Sequence, residues 1–118
     1  MKQSPIFVRT YDFIAWLIPR TMDFPRSQRF VLTKRLQDAA LDFQERVLQA
    51  GLSQGGKRAQ ALEEADITLA KVRFYLRLAQ EMSWLQSGQY AHASQMVTEI
   101  GRLLGKWRKN EGIASAEG

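Results

Sequence analysis

Proline falls only at positions 5, 19 and 25, so residues 26–118 contain none. A proline inside a helix removes a hydrogen bond and clashes with the preceding turn. Its absence leaves most of the chain free to be helical. Within that stretch apolar residues recur at alternating steps of three and four. One stripe is Leu32, Leu36, Ala40, Phe43, Val47 and Ala50. A second is Leu62, Ala65, Leu69, Val72, Leu76 and Ala79, and a third is Tyr90, Ala93, Val97, Ile100, Leu104 and Trp107. Each stripe lies on one face of a helix and fits packing at shallow crossing angles. No stretch shows the period-two alternation of a strand. The expected fold is all-α: an antiparallel up-down four-helix bundle.

Glycine and proline place the breaks. The segments expected are Ile6–Phe24, Ser27–Ala50, Lys57–Gln86 and Ser87–Lys109. Pro19 should kink or split the first. Ser27 is positioned to cap the second. "AGLSQGGK" reads as a loop, and "QSGQ" around Gly88 as a tight turn. Residues 1–109 form one domain on this reading, and 110–118, small and polar, form a flexible tail. At 118 residues the chain is the size of one domain that can bury a core unaided.

A second set of apolar positions lies off the stripes: Val31, Leu41 and Leu48, then Ile67, Phe74, Leu78 and Leu85, then Met96 and Leu103. A lone bundle helix needs one apolar face only, so these predict either a wide core face or a further contact between subunits, and a cyclic homo-oligomer is expected. Ala91, Ser94, Thr98, Gly101 and Gly105 share one face of the fourth segment. Each helical glycine there costs up to about 1 kcal/mol relative to alanine. That cost predicts close approach of another helix backbone. "GRLLG" lacks the strand–turn–helix setting and the Lys-Ser/Thr of a phosphate-binding loop.

Chemistry is sparse. With no cysteine, disulfides, thiolate metal sites and cysteine catalysis are excluded. The one histidine, His92, has Gln89 rather than a glutamate three residues before it. It therefore lacks the Glu-x-x-His pair of a di-iron bundle and reads as an ordinary helix residue. Glu63–Glu64 sits near a helix start, where acids suit the dipole. Asp38 and Asp42 have Lys34 and Arg46 one turn away, which predicts surface ion pairs. No nucleophile stands beside a base. No enzymatic activity, metal or cofactor is expected. The N-terminal run is broken by Arg9 and Asp12 and is too short for a membrane span, so no membrane association and a cytoplasmic location are expected.

The net charge is +5 and the isoelectric point near 9.9, a balance that favours an acidic partner. Arg77 has Glu81 four residues on, and Arg102 has Glu99 three before. Lys71 and Arg73 have no acid three or four residues away. Lys106, Arg108 and Lys109 lack one too, apart from Glu111 three after Arg108, and could serve a helix C-terminus. Arg73 and Arg77, one turn apart, could grip phosphates or carboxylates bidentately.

The segment "VRFYLRLAQEMSWLQSGQYAHASQMVTEIGRLLGKWRK", residues 72–109, resembles the C-terminal half of the accessory variability determinant (Avd) proteins of diversity-generating retroelements. Arg73–Arg77 and Glu99–Trp107 carry most of the likeness, and residues 24–42, "FPRSQRFVLTKRLQDAALD", resemble the family's entry into its second helix. The wider group includes four-helix bundles encoded in intervening sequences of ribosomal RNA genes, and a structural or nucleic-acid-binding module of that kind is the alternative. The Avd resemblance implies a basic bundle assembled as a homopentamer. Such a protein binds the element's reverse transcriptase and associates with RNA or DNA, and it supports mutagenic copying of a template into cDNA without being the polymerase. On that likeness Arg73 and Arg77 are the first candidates for contacting the acidic partner, with Lys34 and Arg35 in the matched second-helix segment. Lys71, Arg102, Lys106 and Arg108 complete the candidate set.

Overall fold

A computed structural model describes residues 4–117, with side chains through Gly112. Four α-helices form the chain: α1 (Pro5–Thr21), α2 (Lys34–Leu52), α3 (Gly55–Glu81) and α4 (Ser87–Glu117). No strand occurs among the described residues. The 31 residues of α4 span about 46 Å at the α-helical rise, which sets the long axis of a molecule measuring 51 × 26 × 24 Å.

The three stripes line the core. Every member from Leu32 to Ala50 and from Leu62 to Ala79 is buried, as are Ala93, Val97, Ile100 and Leu104. Tyr90 and Trp107 flank the core, half-buried. Helix α1 adds Ile6, Phe13 and Leu17, with Thr10 and Thr21 on the same face. The start of α1 meets the ends of two other helices. Phe7 lies against Gly51 of α2, where a Cβ would stand 3.0 Å from its ring. The same ring packs edge-on to Trp107 of α4, with centroids 6.3 Å apart. Farther along α1, Trp16 packs at a tilt against His92, early in α4, and Phe24 beyond its end approaches Trp84. His92 is thus an aromatic packing partner.

Boundaries differ from the sequence reading in five places. Helix α1 passes through Pro19 unbroken and ends at Thr21 rather than Phe24. Pro19 forfeits the bond its own N–H would give to the Ala15 carbonyl, but only Arg20 and Thr21 follow it in the helix, so little helix lies beyond it to be kinked. Ser27 caps nothing: it sits in a 3₁₀ turn, Arg26–Gln28, followed by a π-helical turn, Arg29–Thr33, and α2 proper starts at Lys34. The loop expected over residues 50–57 shrinks to Ser53 and Gln54. Gly51 is helical because the Phe7 ring needs its bare backbone, and Gly55 begins α3 at φ +59°, a conformation glycine adopts without penalty. The next turn lies at Met82–Gln86 and not at Gly88. Ser83, at φ 64°, makes that reversal, leaving Gly88 inside α4.

The fifth difference is the length of α4, which continues past Lys109 to Glu117. Glu111 explains its first extra turn. Its carboxylate accepts from Arg58 Nη1 at 2.9 Å and from Trp107 Nε1 at 3.3 Å. Arg58 Nε in turn donates to the Ala50 and Ser53 carbonyls at the end of α2. One arginine thereby adds a donor to the carbonyls at a helix end and ties them to α4. Gly118, at the end of the expected tail, lies outside the described residues.

The second apolar set divides. Leu85 joins the core, and Leu78, Met96 and Leu103 pack half-buried against it. Val31, Leu41, Leu48, Ile67 and Phe74 face outward, with Phe74 62% exposed and Ile67 54%. No helix among the described residues is long and apolar enough to cross a membrane.

Candidate functional site

Arg73 occupies a specific seat. Its guanidinium reaches from α3 across to Gly101 of α4 and fills the space a Cβ would take there. Around it a small open cavity of about 160 Å³ is lined by Leu76, Tyr90, Ser94, Val97 and Thr98. Three of these carry hydroxyls, and no carboxylate lines the cavity. Among the described residues Arg73 makes no ion pair within 4.0 Å. The result is a guanidinium presented at the groove between α3 and α4 without an acid to neutralise it.

The close approach of a helix backbone expected at the small-residue face of α4 is not made within the chain: among the described residues no helix backbone lies against Gly101 or Gly105. Ala91, Thr98 and Gly105 are exposed, and nothing lies within 4 Å of a Cβ built at Gly105. The face is open because α3 approaches α4 along the apolar stripe beside it, and at Gly101 a side chain does the filling.

The other candidates sort by their partners. Lys34 pairs with Asp38 at 2.6 Å, Arg77 with Glu81 at 3.2 Å and Arg102 with Glu99 at 2.7 Å, all within one helix as their spacing predicts. The Arg102 hydrogen bonds hold the Glu99 carboxyl below the ordinary glutamate range, outweighing the opposing effect of desolvation. Arg108 pairs with Asp66 of α3 at 3.1 Å, a partner that spacing along its own helix does not reveal. With α4 extended to Glu117, Arg108 and its neighbours are not in the last turn, so they do not serve the helix C-terminus. The expected Asp42–Arg46 pair does not form: Arg46 turns to Gln49 at 2.8 Å and Glu64 at 3.9 Å.

Arg35, Lys71 and Lys106 make no ion pair among the described residues, but their settings differ. Lys71 shares a groove with Asp42 and Glu64, so its charge is partly offset by acids across α2 and α3. Lys106 borders an apolar hollow with Pro5, Ile6 and Trp107. Arg35 stands exposed near the start of α2. The structure thus does not gather the candidates into one patch. It singles out Arg73 by position, with Arg77 one turn along. Exposed pairs such as Arg77–Glu81 are worth only tenths of a kcal/mol, so Arg77 is readily released to a competing anion.

Two basic residues are missed by a reading that starts a regular helix at Ser27, which leaves Arg26 just outside it and takes Arg29 as ordinary helix. Arg26 and Arg29 occupy the 3₁₀ and π turns before α2. Arg29 has no acid three or four residues away, which is the signal that marks Arg73. Arg26 has Asp23 at that distance but forms no ion pair with it.

A crystal structure of a protein of unknown function from the S23 ribosomal protein family of Bacteroides thetaiotaomicron shares the fold. It aligns over 88% of this chain and 95% of its own, at a TM-score of 0.80 and 18% sequence identity. No curated protein matches the sequence significantly. The model of the bAvd-like family matches residues 6–111, which takes in all four helices and the Arg73 groove, and the chain belongs to that family.

Proposed function

We propose that the chain is a non-catalytic accessory protein of a diversity-generating retroelement. It binds the element's reverse transcriptase and nucleic acid, RNA or DNA, and supports mutagenic cDNA synthesis and retrohoming. Membership of the bAvd-like family carries this reading. The unopposed Arg73 guanidinium in its hydroxyl-lined groove supports an acidic partner there, with Arg77 beside it. The helices are taken as antiparallel, a reading supported by Phe7 meeting Gly51 and Trp107, and by Arg46–Glu64 and Arg108–Asp66 across neighbouring helices. The outward row of Ile67, Phe74, Leu41 and Leu48 supports self-assembly, and the family likeness sets the expectation at a homopentamer in the cytoplasm.

Co-purification with the neighbouring reverse transcriptase, with the molar mass of the complex measured, tests the proposal. Arg73→Glu with Arg77→Glu should leave helicity unchanged and abolish capture of the polymerase. Capture that survives both reversals removes these residues from the interface. Nucleic-acid affinity should fall steeply with salt, and a flat salt response refutes phosphate contacts. The S23 likeness in fold favours a second reading, a structural or nucleic-acid-binding bundle of the ribosomal-RNA intervening-sequence type. A reverse-transcriptase gene and paired repeats beside the coding sequence argue for the first reading, and an rRNA locus for the second.

A further inference from the structure

The corner between α1 and α2 holds a cavity of about 530 Å³, within the range of small-molecule sites, roughly 300–1,000 Å³. It is built where the chain departs from regular helix. α1 stops at Thr21, the 3₁₀ turn presents Arg26, and the π turn presents Arg29 and Thr33. Single π turns within helical segments are uncommon and recur at functional sites.

Hydrogen-bond donors share this cavity with the apolar Met22, Phe24 and Pro25. Arg26 and Arg29 both line it, no carboxylate does, and neither arginine is ion-paired among the described residues. Thr33 also lines it. That residue is only 8% exposed, yet its hydroxyl has no hydrogen-bond partner. A buried hydroxyl left unpaired is destabilising, and native structures rarely keep one without reason. Gln37 spends one amide hydrogen on Thr21 Oγ1 at 2.7 Å, and that hydroxyl donates onward to the Ile18 carbonyl at 2.7 Å. The second Gln37 hydrogen stays available at the cavity wall.

We infer that this corner cavity binds a phosphate group, gripped by Arg26 and Arg29, with the unpaired Thr33 hydroxyl, itself covered, turning in as a third donor on binding. Two guanidiniums, each able to give paired N–H bonds, and a hydroxyl offer more donors than the two oxygens of one carboxylate accept. Phosphate, with three or four oxygens, matches them. The volume exceeds that of a bare ion, so the phosphate can belong to a nucleotide or a nucleic-acid strand. Phe30 next to Arg29 is 78% exposed, with the Arg29 guanidinium 5.9 Å from its ring centroid, and offers a face on which a base can stack. The site shares no residue with the Arg73 groove.

The test is a titration of the full chain with inorganic phosphate, followed by NMR at the Thr33 backbone amide and the Gln37 side-chain amide. Saturable shifts at both are expected. Thr33→Val should weaken binding roughly ten-fold or more, as loss of a hydrogen bond to a charged group does, while holding or raising the unfolding midpoint. Arg26→Ala with Arg29→Ala should abolish saturation. Shifts that never saturate, or affinity unchanged in these variants, overturn the inference. Short single strands with and without a 5′-phosphate identify the source. Tighter binding of the phosphorylated strand points to a strand end, equal tight binding to the backbone diester, and binding of inorganic phosphate alone to a free anion. Each of these keeps the site. Arg73→Glu with Arg77→Glu should leave phosphate binding intact, and the Thr33 variant should leave polymerase capture intact, so the two readings fail separately.

Discussion

Gly101→Ala places stability and binding in opposition. Helical alanine is favoured over glycine by about 0.8–1.0 kcal/mol, and Gly101 lies mid-helix in α4. Its new Cβ would collide with Arg73 Nη2, while the nearest other atom, Leu69 Cδ2 at 3.6 Å, stays in ordinary contact. The obstacle is the far end of a flexible side chain and not a backbone, so the guanidinium should swing out at little cost. The expected net effect is a gain of up to about 1 kcal/mol, or an unfolding midpoint higher by roughly 4 °C for a domain of this size. Gly105→Ala is the matched control, since nothing lies within 4 Å of its Cβ, and it should stabilise by the same amount. Urea unfolding gives the stabilities and polymerase co-purification gives the binding. Gly101→Ala should weaken capture because Arg73 has lost its seat, whereas Gly105→Ala should not. Destabilisation by more than about 1 kcal/mol in Gly101→Ala, restored by adding Arg73→Ala, would refute the reasoning. It would mean that the bundle depends on the arginine staying where it is.

Other outcomes follow from individual contacts. Thr10, 1% exposed, has a buried hydroxyl with no partner, so Thr10→Val should stabilise by roughly 1 kcal/mol, read by urea unfolding; a loss would show that the hydroxyl is satisfied in solution. Arg58→Met should cost about 2 kcal/mol, because it removes the charged donor shared by the Glu111 carboxylate and the Ala50 and Ser53 carbonyls, and hydrogen exchange should rise first at Ala50–Ser53; unchanged exchange there would count against the cap. The Glu99 carboxyl, lowered chiefly by its Arg102 hydrogen bonds, should titrate below ordinary glutamates in an NMR pH series and return to them in Arg102→Ala. Its folded value is depressed, so the contribution of the pair to stability is present above the ordinary carboxylate range and is lost as pH falls through the folded value. A normal Glu99 titration in the parent protein would dispose of the pair.

The core was legible from spacing alone because burial of a helix face imposes a period that survives any detail of the turns. Leu36, Leu69 and Ile100 are buried as their stripes require. Turns were less legible, for local reasons. Glycine at 51 and 88 signals a break only if backbone freedom is its purpose. At 51 the purpose is room for the Phe7 ring, a partner 44 residues away in sequence that no local rule supplies. Ser83, which takes the left-handed turn, carries no such signal. The site was legible in part. Intrahelical spacing identified the partners of Lys34, Arg77 and Arg102 but could not reveal Asp66 opposite Arg108 or the acids beside Lys71, since those lie on neighbouring helices. Arg26 and Arg29 escaped because a regular helix was expected from Ser27, with Arg26 outside it and Arg29 inside, whereas the backbone there winds through 3₁₀ and π turns.

The connection of α2 to α3 by only Ser53 and Gln54 bears on the order in which the molecule assembles. Contacts between segments so close in sequence cost little loop-closure entropy, and chains rich in them fold fast. The α2–α3 pair can therefore collapse on its own stripes before α1 and α4 arrive. Arg73 rides on that pair, but Gly101, on which it rests, belongs to α4. The groove is accordingly a late product of folding: a nascent or partly opened chain carries the arginine without its seat, and only a completed bundle holds it in place.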